Sequence, residues 1–62
     1  MNHVKDFRKN PGLSQLGLAK QIGVSRQTIN MIENNKYNPT LELCINLALA
    51  LKTDLNTLFW NK

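Results

Sequence analysis

Arg26, Gln27, Thr28 and Asn30 bring hydrogen-bonding side chains together directly after Ser25. A guanidinium presents a planar fork that matches O6 and N7 of guanine, and a carboxamide matches N6 and N7 of adenine. Thr28 and Asn30 can meet a thymine methyl, a base edge or a phosphate, or serve as plain solvated helix surface. Other chemistries find little support. One Cys and one His fall short of the ligand set of a zinc site, and a lone Cys forms no internal disulfide. Glu33 has no second carboxylate or nucleophile positioned with it, which points to a structural contact at the end of its helix rather than catalysis. Cys44 sits in an apolar run with no basic neighbour to activate it and reads as packed and inert. His3, near a frayed terminus, reads as solvated. No enzyme activity, cofactor or metal is expected.

The elements that must hold these residues are helical. Breakers recur at Pro11-Gly12, Gly23, Asn34-Asn35, Asn38-Pro39 and 52–54, and the apolar-periodic runs between them are helix-sized. No sustained apolar and polar alternation bounded by hairpin turns occurs, so the fold class is all-α. A basic first helix over residues 2–9 places Val4 and Phe7 on one side, and Pro11 stops it. Ser14, Ser25 and Thr40 are placed to cap a second, third and fourth helix, and Asp54 a last helical turn over residues 55–59. Leu18, Ala19 and Ile22 share a face of the second helix, and Ile29 and Ile32 turn inward on the third. Met31 is either partly exposed there or tucked beside Ile32. The fourth helix is apolar nearly all round, leaving only Glu42 and Asn46 as a polar stripe, and must be covered on several sides.

Between Gln15 and Glu33 the order is helix, a short turn containing Gly23, helix, the spacing of a helix-turn-helix unit. Ala19 keeps the second helix thin where the third crosses it. Gly23 suits the left-handed conformation of the tight turn, and Val24 fills the space beneath.

Charge agrees with an anionic partner. The net charge is +4, and the whole excess lies in residues 1–36, where Lys5, Arg8, Lys9, Lys20, Arg26 and Lys36 face Asp6 and Glu33. Residues 37–62 sum to zero. Neutralising phosphates is where nucleic-acid affinity begins, although ordinary solubilising charge would look the same on composition alone. At 62 residues the chain makes one domain, 1–62, with the helix-turn-helix unit at about 15–33. No run reaches the roughly 18 apolar residues of a membrane span, and the N-terminus lacks a secretory apolar region, so a cytoplasmic location is expected.

The run from Gln15 to Leu51 resembles the small phage-repressor and Cro-like (XRE-type) helix-turn-helix regulators of bacteria and their mobile elements. The resemblance rests on Leu13-Ser14-Gln15, Leu18-Ala19, the stretch from Gly23 to Ile29, Ile32-Glu33-Asn34 and the stretch from Tyr37 to Leu41. It implies a compact lambda-repressor-like bundle of four to five short helices. It also implies a sequence-specific regulator of double-stranded DNA, most simply a repressor in the bacterial cytoplasm at the nucleoid. The third helix then lies in the major groove with Arg26 and Gln27 as readers. Gln15 is expected to donate to a phosphate and to brace Arg26 or Gln27. Asn34, Lys36 and Tyr37 follow the reading helix in a loop that the family uses to grip the backbone, although Lys36 can equally be an idle surface charge. Lys5, Arg8 and Lys9 are expected to supply diffuse attraction. Leu16 and Gly17 replace the polar residues common in the family and remove the capping carboxylate after Ser14, so the second helix should be the softer one. Asn35 stands where the family favours Gly.

One such module buries too little DNA surface for useful specificity, which calls for a homodimer on an inverted repeat. Leu49, Leu55, Phe59 and Trp60 are the candidates for its interface; the alternative is that Leu49, Leu55 and Phe59 complete the monomer core. The competing functional reading is a protein-interaction module, such as an antitoxin that binds its partner through the apolar C-terminal surface. A membrane binder is disfavoured, because the basic residues and the bulkiest apolar cluster lie at opposite ends of the chain.

Overall fold

Three hydroxyl side chains set the helical frame. In the computed structural model, which describes residues 2–60, Ser14 Oγ accepts the Gly17 N–H at 2.9 Å and Ser25 Oγ accepts the Thr28 N–H at 3.1 Å. Thr40 Oγ1 accepts the Leu43 N–H at 3.2 Å. Each bond satisfies an amide that a helix start leaves without an intrahelical partner. The helices so opened are α2 (Gln15–Ile22), α3 (Arg26–Glu33) and α4 (Leu41–Ala50). They come after α1 (Val4–Lys9) and precede a π-helical turn, Asn56–Trp60. No strand occurs among the described residues, as the all-α reading requires.

The helices end by a shared device. Gly12, Gly23, Asn35 and Lys52 all take positive φ, between 57° and 78°. After α3, the Lys36 N–H reaches Met31 O at 2.8 Å and the Asn35 N–H reaches Ile32 O at 3.1 Å. After α4, Thr53 and Lys52 bond to Ala48 and Leu49 in the same pattern, and after α1, Leu13 and Gly12 bond to Arg8 and Lys9. This is the Schellman arrangement, in which a left-handed residue lets the chain reverse while the last carbonyls stay bonded. The expected roles of Gly23 and Asn35 hold.

Two boundaries differ from expectation. The first helix begins at Val4 rather than residue 2: His3 occupies the N-cap position, and Asn2, one residue outside it, accepts the Val4 N–H on Oδ1 at 3.1 Å in an Asx turn that leads into the helix. Asp54 does cap the last segment, accepting the Thr57 N–H at 2.7 Å, but residues 56–60 wind as a π-helix. That wider turn buries Leu58 and carries its carbonyl to the His3 N–H at 2.8 Å, tying the end of the fold to its beginning.

α2 packs on α3 and α4, while α1 packs on α3 and the π-helical turn. Val4, Leu18, Ala19, Ile29, Ile32, Leu47, Ala48, Leu51 and Leu58 form the core between them. Ala19 is fully buried between the crossing helices, which is why a small residue is needed there. Gly17 has a packing reason too. A Cβ at this position would stand 3.0 Å from Leu13 Cδ1 and 3.1 Å from the capping Ser14 Oγ. The apolar α4 is covered on one side only: Leu47 and Ala48 are buried, while Leu41, Ile45 and Leu49 are exposed one helical turn apart. Among the described residues no other element lies over that side.

Candidate nucleic-acid interface

α3 is fixed from below. Ile29 and Ile32 are buried and turn one side of the helix to the core, leaving Arg26, Gln27 and Asn30 exposed away from them. Positions 26, 27 and 30 lie three and four residues apart and share a face. Among the described residues no side-chain hydrogen bond ties down Arg26 or Gln27; their donors face solvent from the first turn of a capped helix. Thr28 is half-buried, and its hydroxyl lies 2.9 Å from Ser25 Oγ, within the cap itself. Met31 is half-buried.

Glu33, at the end of α3, is the hub behind this face. Arg8 closes a fork on it, with Nε 2.6 Å from Oε2 and Nη2 3.3 Å from Oε1, while Nη1 donates to Leu13 O at 2.8 Å. The carboxylate side chain is only 2% exposed and the Arg8 side chain 9%. The structural role expected of Glu33 is therefore present. Arg8 departs from expectation: it is not a source of diffuse attraction but an interior strut. The signal was available in the spacing, since Arg8 follows buried Val4 by one turn and Glu33 follows buried Ile29 by one turn, placing both on inward stripes.

Gln15 also departs from its expected bracing role. This first residue of α2 is half-buried and donates from Nε2 to Glu33 Oε1 at 3.1 Å, so it braces the buried carboxylate instead of Arg26 or Gln27. A buried carboxylate offers several lone pairs, and side chains from two other helices, α1 and α2, supply donors to it. One amide hydrogen of Gln15 remains for an outside acceptor.

The segment after α3 is polar and exposed. Asn34 Nδ2 donates to Asn30 O at 2.8 Å, closing the helix end, and Lys36 and Tyr37 stand in solvent. Asn2, which sequence reasoning missed, reaches this turn from the start of the chain: its Nδ2 donates to Ile32 O at 2.8 Å and to Asn35 Oδ1 at 3.0 Å. Cancelling the interior Arg8 and Glu33 leaves the first-half excess unchanged. Lys5, Lys9, Lys20, Arg26 and Lys36 carry it, all exposed.

At the other end of the molecule, Leu49 is 72% exposed and Trp60 62%. Leu55 and Phe59, expected with them at a subunit interface, are packed on the monomer core, Phe59 half-buried. Trp60 lines a groove with Leu41, Cys44 and Phe59. Burial pushes the Cys44 thiol above its ordinary value, in keeping with an inert side chain. Among the described residues, no group of His, Cys, Asp and Glu is arranged to hold a metal, and no helix is long and apolar enough to cross a membrane.

Known proteins resemble this chain in sequence and in fold. A helix-turn-helix family, HTH_3, matches residues 4–58. An HTH-type transcriptional regulator of Archaeoglobus fulgidus is 39% identical over 56 residues, covering 90% of this chain and 80% of that protein. The HTH-type regulator YgzD of Bacillus subtilis is 37% identical over 59 residues, covering 95% and 89%. The ImmF control region 10 kDa protein of Bacillus phage phi105 is 38% identical over 55 residues, covering 89% of this chain and 61% of its own length. In the solved complex of the SinR and SinI proteins, one chain superimposes with a TM-score of 0.86 at 28% identity, and the match spans 95% of the present chain but 58% of that one. With the family match extending from the start of α1 to the buried Leu58, the chain belongs to the XRE-type helix-turn-helix family of DNA-binding, non-catalytic transcriptional regulators.

Proposed function

We propose that residues 1–62 form a single sequence-specific module for double-stranded DNA that acts as a repressor, a homodimer laying two copies of α3 into successive major grooves of an inverted repeat. The observation that carries this reading is the exposed face of Arg26, Gln27 and Asn30, on a helix capped at both ends and anchored by two buried isoleucines. Arg26 and Gln27 are the principal base readers, each bidentate pair contributing about 1 to 3 kcal/mol of discrimination. Asn30 is a further reader, and Thr28 contributes its methyl group while its hydroxyl serves the cap. Gln15, through its remaining amide hydrogen, together with Asn34, Lys36 and Tyr37, contacts phosphates and fixes register. Two half-sites then lie one DNA turn apart, about 34 Å. A cytoplasmic location at the nucleoid suits such a task.

The dimer surface is proposed around Leu49 and Trp60, extended by Leu41 and Ile45, with Leu55 and Phe59 supporting it from the core side. A neutral C-terminal half favours self-association, since two copies meet there without net repulsion.

Selection of bound sites from random duplex DNA tests the reading. The expected product is an inverted repeat, in which Arg26→Ala abolishes preference at one base pair per half-site while Lys36→Ala weakens all sequences about equally. Unchanged affinity and preference in Arg26→Ala would remove that residue from the site.

A second reading is supported by the exposed apolar side of α4 and by the SinR and SinI proteins having been solved as a complex. Here the C-terminal surface binds a different protein, as in an antitoxin. Salt separates the two: phosphate-based binding falls steeply between about 50 and 200 mM, whereas an apolar contact hardly responds.

A further inference from the structure

We infer that Asn2 is a positioning residue for the phosphate-gripping turn, its carboxamide clamping the start of α1 to the end of α3 so that residues 34–37 are held in one geometry. The inference rests on the DNA-binding reading proposed for this chain.

All the main hydrogen-bonding capacity of this side chain is spent across the two elements. Oδ1 accepts the Val4 N–H at 3.1 Å, and Nδ2 donates to Ile32 O at 2.8 Å and to Asn35 Oδ1 at 3.0 Å. Ile32 O already accepts the Asn35 N–H, so Asn2 adds a second bond to the carbonyl on which the helix end turns. Asn35 is the residue forced into the left-handed region, with φ 57°, and its side chain is the other thing Asn2 holds. Lys36 comes directly after, hung from Met31 O by its own N–H. Asn2, Asn35, Lys36, Tyr37 and Asn38 line one shallow groove beside this turn. A clamp on Asn35 therefore sets the direction in which the Lys36 ammonium and Tyr37 hydroxyl leave the chain. Phosphate contacts depend on such placement for register and carry no sequence information themselves.

Asn2→Ser tests this, because serine keeps a cap for the Val4 N–H and is too short to span to Ile32 and Asn35. Binding of the full chain to its selected duplex and to unrelated duplexes is measured across a salt series, together with thermal unfolding. The expected result is a loss of about three- to tenfold in affinity, equal for all sequences. The slope of log affinity against log salt should become shallower by about 0.9, one phosphate's worth. In the double variant with Lys36→Ala, the Asn2→Ser effect should largely vanish, as it must if one residue acts through the other. Wild-type affinity and slope in Asn2→Ser, a loss that only tracks reduced thermal stability, or full additivity with Lys36→Ala would each overturn the inference. Failure of the unaltered chain to bind any duplex would instead sink the DNA-binding reading itself.

Discussion

Gln15 Nε2 stands 3.1 Å from Glu33 Oε1, on a carboxylate that Arg8 already holds from another helix. The start of α2, the end of α3 and the far half of α1 thus converge on two oxygen atoms. Removing one partner of a buried pair strands the other charge, at a cost of about 3 to 5 kcal/mol. That is a large share of what so small a domain possesses. Arg8→Ala should therefore approach complete unfolding in a urea titration at room temperature. Arg8→Met combined with Glu33→Leu should recover most of the loss, because no charge is then left behind. A double variant no more stable than Arg8→Ala would contradict this account.

Helix ends offer a pair of substitutions with opposite signs. Gly23 takes φ 78° with nothing within 4 Å of a Cβ placed there, so Gly23→Ala costs only the left-handed strain, about 1 to 2 kcal/mol. Lys52 already bears that strain at φ 57°, and Lys52→Gly should stabilise by roughly 0.5 to 1 kcal/mol. Differential scanning calorimetry should move the melting temperature down for the first and up for the second, by about 4 to 8 °C per kcal/mol. Equal signs would rule out the shared explanation.

Exposure on α4 makes association separable from folding. Leu49 is 72% exposed, and Leu49→Glu should change monomer stability by no more than about 0.5 kcal/mol. In analytical ultracentrifugation the same substitution should shift a dimer to monomer, and Ile45→Glu should do likewise. Binding to a paired site should then fall to that of a single half-site. An unaltered sedimentation coefficient in both variants would remove this face from the proposed dimer.

Asp54 links stability to pH. The N–H of Thr57 bonds to its carboxylate and holds the group below its ordinary value, so the fold favours the charged form. The resulting stability is complete above the unfolded value and disappears as the pH falls through the lowered one. Wild type should exceed Asp54→Ala in melting temperature at neutral pH, with the gap narrowing on acidification below the usual carboxylate range. A constant gap from neutral pH down to about pH 2 would show that charge is irrelevant to this cap.

Local chemistry was the legible part of this chain. Ser14, Ser25 and Thr40 reveal helix starts because a cap and the amide it serves are three residues apart, and Gly23 and Asn35 reveal ends because few residues accept a left-handed backbone. The outward placement of Arg26 and Gln27 was readable from the period of Ile29 and Ile32. Partnerships across the fold were not legible. Arg8 finds Glu33 across 25 positions and Asn2 finds Ile32 across 30; helical spacing can place Arg8 and Glu33 on inward stripes but does not pair them, and nothing local marks the amide of Asn2. The packing of Leu55 and Phe59 was hidden for a related reason, since a terminal segment shows its apolar residues without showing which way it docks.

α4 turns Leu47 and Ala48 to the core while Leu41, Ile45 and Leu49 stay outside. Inheritance can therefore act on the two sides at different speeds. Changes at the outer three positions leave α3, the proposed reader, and its supports intact, so what that outer face can adhere to is free to alter without relearning how to fold.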